Sequence, residues 1–385
     1  MRAIGYIIFF LIFFSIYGSV NYYIFVRGSQ AIPPGPGWRR AYLAVFLVLS
    51  LSIVAGRLLE RAWMSPASEA LVWIGSFWLG AVVYFFLAVL ALDLVRLADL
   101  IQPFYPAWLR AHYQGAKQVL ALGVTGAVIV TIIAGYVNAS SPRVKHLELK
   151  IPKKADGVRS MSIALASDIH LGTIIGSRRI RQIVEKINAL DADLVLLPGD
   201  IVDEDIGAVI RENLGEALKS IRSKHGVVAV TGNHEYIGGV DAACDYLGKH
   251  GVTMLRDGIL RVNGGVYLVG REDRSADRTP VMKRMPLKQL MAGVDRRYPV
   301  ILLDHQPFRL EEGASNGADL QVSGHTHHGQ LWPFNHITSA IYEVSWGYKQ
   351  IGQTHVYVSS GVGTWGPPMR IGNHPEILHI TLTFD

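Results

Sequence analysis

The sequence predicts two parts, an N-terminal all-α bundle of four transmembrane helices and a C-terminal α/β domain. Apolar residues concentrate before about Val137, whereas short apolar runs that alternate with amphipathic segments begin near Val144. The chain has 385 residues, which is long enough for two domains that each bury a core. We therefore expect one part at residues 1–140 and the other at residues 141–385.

The first part contains four nearly uncharged apolar runs, and a helix needs roughly 20 such residues to cross a bilayer. The expected spans are residues 4–26, 41–59, 70–92 and 119–137. A cleaved signal peptide is the alternative for the first run, and a buried bundle in a soluble protein is the alternative for all four. Aromatic residues near the ends of the runs favour the membrane, because amphipathic rings prefer its interface.

Charged residues concentrate in the second part. Nine of the 37 lysines and arginines and four of the 31 acidic residues precede Pro142, which leaves 28 and 27 after it. The second part is therefore almost neutral although the whole chain carries +6, and we expect no nucleic-acid partner. The chain has one cysteine, Cys244, which excludes an internal disulfide.

In the second part, strands alternate with amphipathic helices, a pattern typical of an α/β core. The expected strands are residues 161–167, 193–198, 227–231, 300–303, 320–323, 355–359 and 377–383. The expected helices are residues 180–190, 206–221 and 240–250. A β-hairpin over residues 259–270 is predicted to turn at Asn263-Gly264, a favoured pair for a tight turn.

Five groups of polar residues each follow a predicted strand. Open α/β sheets bind ligands just outside the carboxyl ends of their strands, so we expect all five groups to line one crevice. In chain order the groups are Asp168 and His170, then Asp200, then Asn233 and His234, then His305, then His325 and His327.

The chemistry of these groups predicts a metal site. Imidazoles, carboxylates and one amide suit borderline divalent ions such as Mn, Fe or Zn. A His-x-His pair alone also occurs without metal on protein surfaces, but here four further groups accompany it. Seven candidate ligands exceed one tetrahedral site and suit two ions that share a carboxylate. Two such ions roughly 3.5–4 Å apart activate water and hold phosphate oxygens for in-line displacement.

These motifs resemble those of the calcineurin-like metallophosphoesterase superfamily in order and spacing, along about 160 residues. They are Asp168-x-His170, Gly199-Asp200-x-x-Asp203, Gly232-Asn233-His234-Glu235, His305 and Gly324-His325-x-His327. The resemblance implies a two-sheet β-sandwich flanked by helices. It also implies a first metal held by Asp168, His170, Asp200 and His327, and a second held by Asp200, Asn233, His305 and His325. His234 would stabilise the transition state or protonate the leaving oxygen.

Residues 324–330 and 359–370 further resemble a bacterial membrane-associated branch that includes phosphodiesterases and UDP-2,3-diacylglucosamine pyrophosphatases. This resemblance implies hydrolysis of a phosphodiester or pyrophosphate bond in a lipid-linked substrate, by a multi-pass protein of the bacterial inner membrane. Basic residues after the fourth span predict a cytoplasmic catalytic domain. The alternatives are an enzyme for soluble nucleotides or phosphoproteins, and a membrane scaffold whose second part only binds.

Several charged residues near the motifs have smaller predicted roles. Asp203, Glu235 and Asp304 are expected to support the ligands through hydrogen bonds. Arg178, Arg179 and Arg370 are candidates for binding substrate phosphate, because guanidinium groups suit phosphate oxygens. A solvated charged face is the alternative for Arg178 and Arg179.

Overall fold

The computed structural model describes residues 2–33, 35–262, 265–279 and 282–385, without the side chains of residues 2–7, 9 and 10. The predicted turn at Asn263-Gly264 lies outside the described residues. The chain divides into two compact units, Met1–Gly135 and Tyr136–Asp385, which we describe separately and call the membrane unit and the catalytic unit. The predicted division after residue 140 stays a prediction.

The membrane unit is helical. Its helices are α1 (Arg2–Ser29), α2 (Pro36–Ala62), α3 (Pro66–Ile101), α4 (Ala107–Ala111) and α5 (Tyr113–Ala139), the last of which ends in the catalytic unit. Helix α3 starts at a capping box, in which the Ser65 hydroxyl accepts from the Ser68 amide at 3.2 Å and the Ser68 hydroxyl accepts from the Ser65 amide at 2.9 Å.

Among the described residues, three helices are long and apolar enough to cross a membrane, namely α2, α3 and α5. In the described part of the chain, the predicted count of four spans is therefore corrected to three. The predicted first span lies in α1, which is helical, but several of its side chains are outside the described part of the chain. The three helices expose large apolar side chains such as Leu51 and Val130, as expected in lipid.

Glycines let α2 and α3 pack closely. A Cβ on Gly56 would lie 2.7 Å from the backbone nitrogen of Val72, and one on Gly75 would overlap the backbone of Ile53. Small residues at helix contacts are typical of membrane bundles, because they allow the backbones to approach.

The catalytic unit contains two six-stranded sheets, with strand orders β1-β12-β2-β3-β4-β5 and β10-β11-β9-β8-β7-β6. The strands are β1 (Arg143–Ile151), β2 (Ser160–Leu165), β3 (Leu194–Pro198), β4 (Val227–Val230), β5 (Val252–Met254), β6 (Gly258–Val262), β7 (Val266–Gly270), β8 (Val300–Leu303), β9 (Leu320–Ser323), β10 (Gly347–Ile351), β11 (Thr354–Val358) and β12 (Glu376–Phe384).

Its helices are α6 (Ser177–Asn188), α7 (Ile206–Arg211), α8 (Gly215–Lys219), α9 (Asn233–Gly238), α10 (Val240–Lys249), α11 (Leu287–Leu290), α12 (Leu310–Ser315) and α13 (Phe334–Ile341). Short 3-10 turns lie at Arg274–Arg278, Met291–Gly293 and His327–Gly329. The main core contains buried side chains of both sheets, including Ile163, Leu196, Leu303 and Val322. The predicted two-sheet α/β fold is confirmed.

Parallel pairing brings the loop residues together. In one sheet β2 pairs with β3 and β3 with β4, all parallel, and in the other sheet β7, β8, β9 and β11 pair in parallel. The carboxyl ends of neighbouring parallel strands meet at one edge, so each sheet collects its polar loops there.

Two features of the unit differ from the sequence prediction. The single helix expected over residues 206–221 is two helices, α7 and α8, because Asn213 adopts a left-handed conformation (φ 49°) that ends α7. Helix α9 begins directly at Asn233, where the sequence indicated only a loop. The hydrogen bonds of Glu235 explain this short helix, as described below.

Candidate metal centre

The residues that follow the strands are held in an uncommon backbone conformation. Asp168, His170, Asp200, His325 and His327 all have positive φ angles, between 46° and 73°. Few residues other than glycine adopt this region, and such strain concentrates at functional sites. Backbone strain is therefore present at five of the positions that were predicted to be ligands.

The first donor group consists of Asp168, His170 and His327. The Nε2 atoms of the two histidines lie 3.0 Å apart, and His327 Nε2 lies 3.6 Å from Asp168 Oδ1. Asp168 Oδ2 and His170 Nδ1 are buried without a hydrogen-bond partner among the described residues. Buried polar atoms are normally satisfied, so the orphaned Asp168 Oδ2 fits a bound cation, whereas His170 would bind that cation through Nε2.

The second donor group consists of Asp200, Asn233, His305 and His325. His305 Nε2 lies 3.1 Å from Asp200 Oδ2 and 3.3 Å from Asn233 Oδ1. The ring of His325 lies 5.2 Å from that of His305. Donor atoms of Asp200, His305 and His325 all lie within 4.8 Å of one another. The donor set fits a borderline divalent ion.

Asp200 connects the two donor groups. Its Oδ2 atom lies 3.1 Å from His305 Nε2 in the second group and 3.9 Å from His170 Nε2 in the first. Its other oxygen accepts a hydrogen bond from the His234 amide at 2.9 Å. The carboxylate is therefore oriented by the backbone and placed where a bridging ligand would stand.

Glu235 organises the loop that carries Asp200. Its buried carboxylate accepts hydrogen bonds from four backbone amides, those of Asp200 (3.1 Å), Ile201 (2.7 Å), Val202 (2.9 Å) and Gly232 (2.7 Å). Burial is the main cause that raises the pKa of Glu235. Glu235 therefore ties the loop after β3 to the start of α9.

His234 is paired with Asp203. His234 Nδ1 donates to Asp203 Oδ1 at 3.1 Å, which leaves Nε2 for a substrate. Burial alone would lower the pKa of His234, but the hydrogen bond to Asp203 and the charge of Asp200 outweigh it and raise the pKa to about 9. The imidazole is therefore protonated at neutral pH and can act as an acid.

The histidines of the centre differ in the direction of their pKa shifts. Burial lowers the pKa of His325 to about 4 and holds the pKa of His327 well below its usual value, so both imidazoles are neutral. Asp200 is buried too, but the neighbouring His305 holds its pKa well below the usual range. Burial alone would lower the pKa of His305, but the charges of Asp200 and Asp168 outweigh it and raise the pKa well above its usual value, so this ligand loses a proton when a metal binds.

Arg370 is buried beside His327. Its side chain is fully buried, and Nη2 donates to His327 Nδ1 (3.2 Å) and to the carbonyls of Gly361 (3.2 Å) and Gly363 (2.7 Å). The predicted phosphate contact stays a prediction, and among the described residues the guanidinium contacts His327 at Nδ1.

The other predicted supporting residues occupy different places. Asp304 is buried and pairs with Arg271 at 3.2 Å and with Arg284, so it serves a neighbouring cluster rather than His305. Arg179 donates to the carbonyl of Ala139 at 2.5 Å, whereas Arg178 is exposed on α6. Neither is brought into the donor groups.

Two aromatic side chains beside the metal centre were not predicted from the sequence. Trp365 is exposed and its ring lies 5.7 Å from that of His234. The ring of Tyr342 lies 6.0 Å from that of His325. No motif marks Tyr342, and Trp365 stands in a segment that only the family resemblance singled out.

Comparison with known proteins agrees with this geometry. The calcineurin-like phosphoesterase family model matches residues 161–329. An uncharacterised metallophosphoesterase of Helicobacter pylori is 32% identical over 286 residues, which covers 71% of this chain and 73% of the relative. A transmembrane protein with metallophosphoesterase domain from Danio rerio is 28% identical over 388 residues, with 92% and 83% covered. An uncharacterised metallophosphoesterase of Campylobacter jejuni is 28% identical over 386 residues, with 98% of each covered.

The chain belongs to the calcineurin-like metallophosphoesterases, a class defined by a dinuclear divalent metal centre. More particularly, it is a metal-dependent phosphoester hydrolase that carries apolar helices suited to membrane association. The expected family, fold class and hydrolase activity are thereby confirmed.

Proposed function

We propose that the protein hydrolyses a phosphodiester or pyrophosphate bond in a membrane lipid-linked substrate, such as UDP-2,3-diacylglucosamine. The main support is that the two donor groups meet at Asp200. Its Oδ2 atom lies 3.1 Å from His305 Nε2 and 3.9 Å from His170 Nε2. Such an arrangement suits a two-metal phosphoester hydrolase better than a single-metal site.

The residues divide the work. Two bound ions (Mn, Fe or Zn) would supply an activated water and neutralise phosphate charge. Asp200 would contribute to both sites. Asp168, His170 and His327 would hold one ion, and Asn233, His305 and His325 would hold the other. His234, protonated at neutral pH, donates its Nε2 proton to the leaving oxygen while Asp203 holds Nδ1.

A cavity in the membrane unit supports a lipid substrate. It has a volume of about 670 Å³ and is lined mostly by apolar side chains of α1, α2, α3 and α5, such as Phe46 and Val89. Arg96 and Lys117 also line it. The apolar walls suit an acyl chain.

We also propose that the protein resides in the bacterial inner membrane with its catalytic unit in the cytoplasm. Supporting this, five basic residues follow α5 within a short stretch: Arg143, Lys145, Lys150, Lys153 and Lys154. A reporter that is active only outside the cytoplasm, fused after Asp385, should then remain inactive; an active fusion would reverse the orientation.

The deciding experiment is hydrolysis by detergent-purified protein with Mn²⁺. UDP-2,3-diacylglucosamine is compared with bis-p-nitrophenyl phosphate, each with wild type, Asn233→Ala and His234→Ala. Cleavage of the lipid nucleotide that both substitutions abolish is the expected result. Cleavage of the small diester alone would reject the lipid and favour soluble nucleotides or phosphoproteins. No cleavage of either by metal-loaded protein would reject both substrate classes.

A further inference from the structure

A second charged cluster lies in the catalytic unit outside the donor groups. It surrounds a cavity of about 390 Å³, which we call the basic pocket. Its charged lining consists of Arg271, Arg274, Arg284, Lys288 and Arg309 with Asp277 and Glu312. When the buried Asp304 is added, the cluster still has a surplus of two positive charges.

Two of these arginines are buried with unused donors. The side chains of Arg271 and Arg284 are each 8% exposed, and both bind the same carboxylate oxygen of Asp304. Their Nε atoms have no hydrogen-bond partner among the described residues. Arg271 also lies 3.4 Å from Glu312, which is more exposed. Glu312 also pairs with Arg309, so two carboxylates serve three guanidinium groups, and a further anion would lower the cost of burying them.

The rim of the basic pocket contains two cationic side chains that form no ion pair among the described residues. Within the described ranges, neither Arg274 nor Lys288 lies within ion-pair distance of an acidic side chain. The guanidinium of Arg274 instead lies 4.4 Å from the ring centre of Phe308. Both cations are therefore available to an incoming ligand.

The basic pocket adjoins the second donor group. The ring of Phe308 packs 4.8 Å from that of Tyr342, which in turn lies 6.0 Å from the ring of His325. Two ring contacts thus lead from the pocket to a candidate metal ligand, a separation short enough for a substrate with two phosphates.

We propose that the basic pocket binds a second phosphate group of the substrate, beside the phosphate that is hydrolysed. Guanidinium groups match phosphate oxygens through paired, charge-assisted hydrogen bonds, and a volume of about 390 Å³ is ample for one such group. The proposal rests on the proposed function in taking phosphoester hydrolysis as the reaction, but it does not require a lipid.

The test compares two substrates with the same leaving group, thymidine 5′-(p-nitrophenyl phosphate) and its 3′-phosphorylated form. The full chain in detergent is used as wild type, as the pocket variant Arg274→Gln/Lys288→Gln, and as the control variant Arg222→Gln/Lys249→Gln. The control removes the same charge from exposed positions outside the pocket.

We expect wild type and the control variant to show a KM about tenfold lower for the 3′-phosphorylated substrate, as two charge-assisted contacts would produce. The pocket variant should lose this preference, with kcat within about twofold on both substrates. Equal KM values in wild type, or a preference that survives in the pocket variant, would overturn the proposal while the hydrolase activity stands.

A binding measurement keeps the two proposals distinguishable if neither substrate is cleaved. Thymidine 3′,5′-bisphosphate should raise the Tm of wild type and of the control variant more than that of the pocket variant. Equal shifts in both variants would reject the pocket. A shift of the same size with inorganic phosphate would assign the pocket to free phosphate and overturn its role in substrate binding.

Discussion

One histidine in each donor group has its Nδ1 atom in a hydrogen bond, but the direction of that bond differs between the two groups. His305 donates its Nδ1 proton to the carbonyl of Pro198 at 2.8 Å, whereas His327 Nδ1 accepts from Arg370 at 3.2 Å. A metal at Nε2 requires the imidazole proton on Nδ1; the Pro198 carbonyl stabilises this tautomer of His305, whereas the Arg370 donor opposes it in His327. The difference teaches that the two metal positions are unequal, with the second group expected to bind more tightly.

The largest effect should come from the residue that the two groups share. Asp200→Asn should lower kcat/KM by roughly 1,000-fold, because the bridging charge supports both ions and two-metal stabilisation is worth several kcal/mol. Metal analysis should show fewer than two ions per chain. A variant that keeps both ions and its activity would show that Asp200 does not bridge the two donor groups.

A second, smaller effect separates proton donation from metal binding. His234→Asn should lower kcat by about 100-fold without loss of metal, because His234 lies outside both groups. Since its pKa is raised to about 9, the acid form is present below that pH and is lost above it. Wild-type kcat should therefore fall as the pH rises through about 9.

The control for this prediction is the pH profile of His234→Asn, which should lack that fall. Loss of metal from the variant would instead place His234 among the ligands. A wild-type rate that stays level above pH 9 would exclude the acid role.

The inequality of the two groups can be measured directly by chelation. Titration of metal-loaded protein should release the ions in two steps, separated by about tenfold in free metal, since outer hydrogen bonds change affinity by 10 to 100-fold. His327→Ala should abolish the weaker step and keep the tighter one, whereas His305→Ala should do the reverse. A single step in wild type, or the opposite assignment, would refute the comparison.

The smallest effect is expected outside both groups. Arg178→Gln should change kcat and KM by less than about twofold, because Arg178 is exposed on α6 and outside both groups. A rise of KM by tenfold or more on a phosphodiester would instead restore its predicted phosphate contact.

Much of the fold and of the metal centre was predictable from local pattern. Short apolar runs followed by Asp168, Asp200, Asn233, His305 and His325 indicated strands that deliver polar loops to one edge. Helix α9 was not predictable, because the partners of Glu235 include the amides of Asp200 and Val202, more than 30 residues away. The break between α7 and α8 depends on one left-handed residue, Asn213.

The sequence by itself therefore determined the class of the protein, the identity of the candidate ligands and the presence of apolar helices. Those features depend on residue type and on periodicity along the chain. Only the tertiary structure decided that Arg370 lies behind His327, that Asp304 serves a different cluster, and that five basic residues from separate segments surround one cavity. The physical reason is that such contacts join distant segments, and side chains reveal their partners only after the chain has folded.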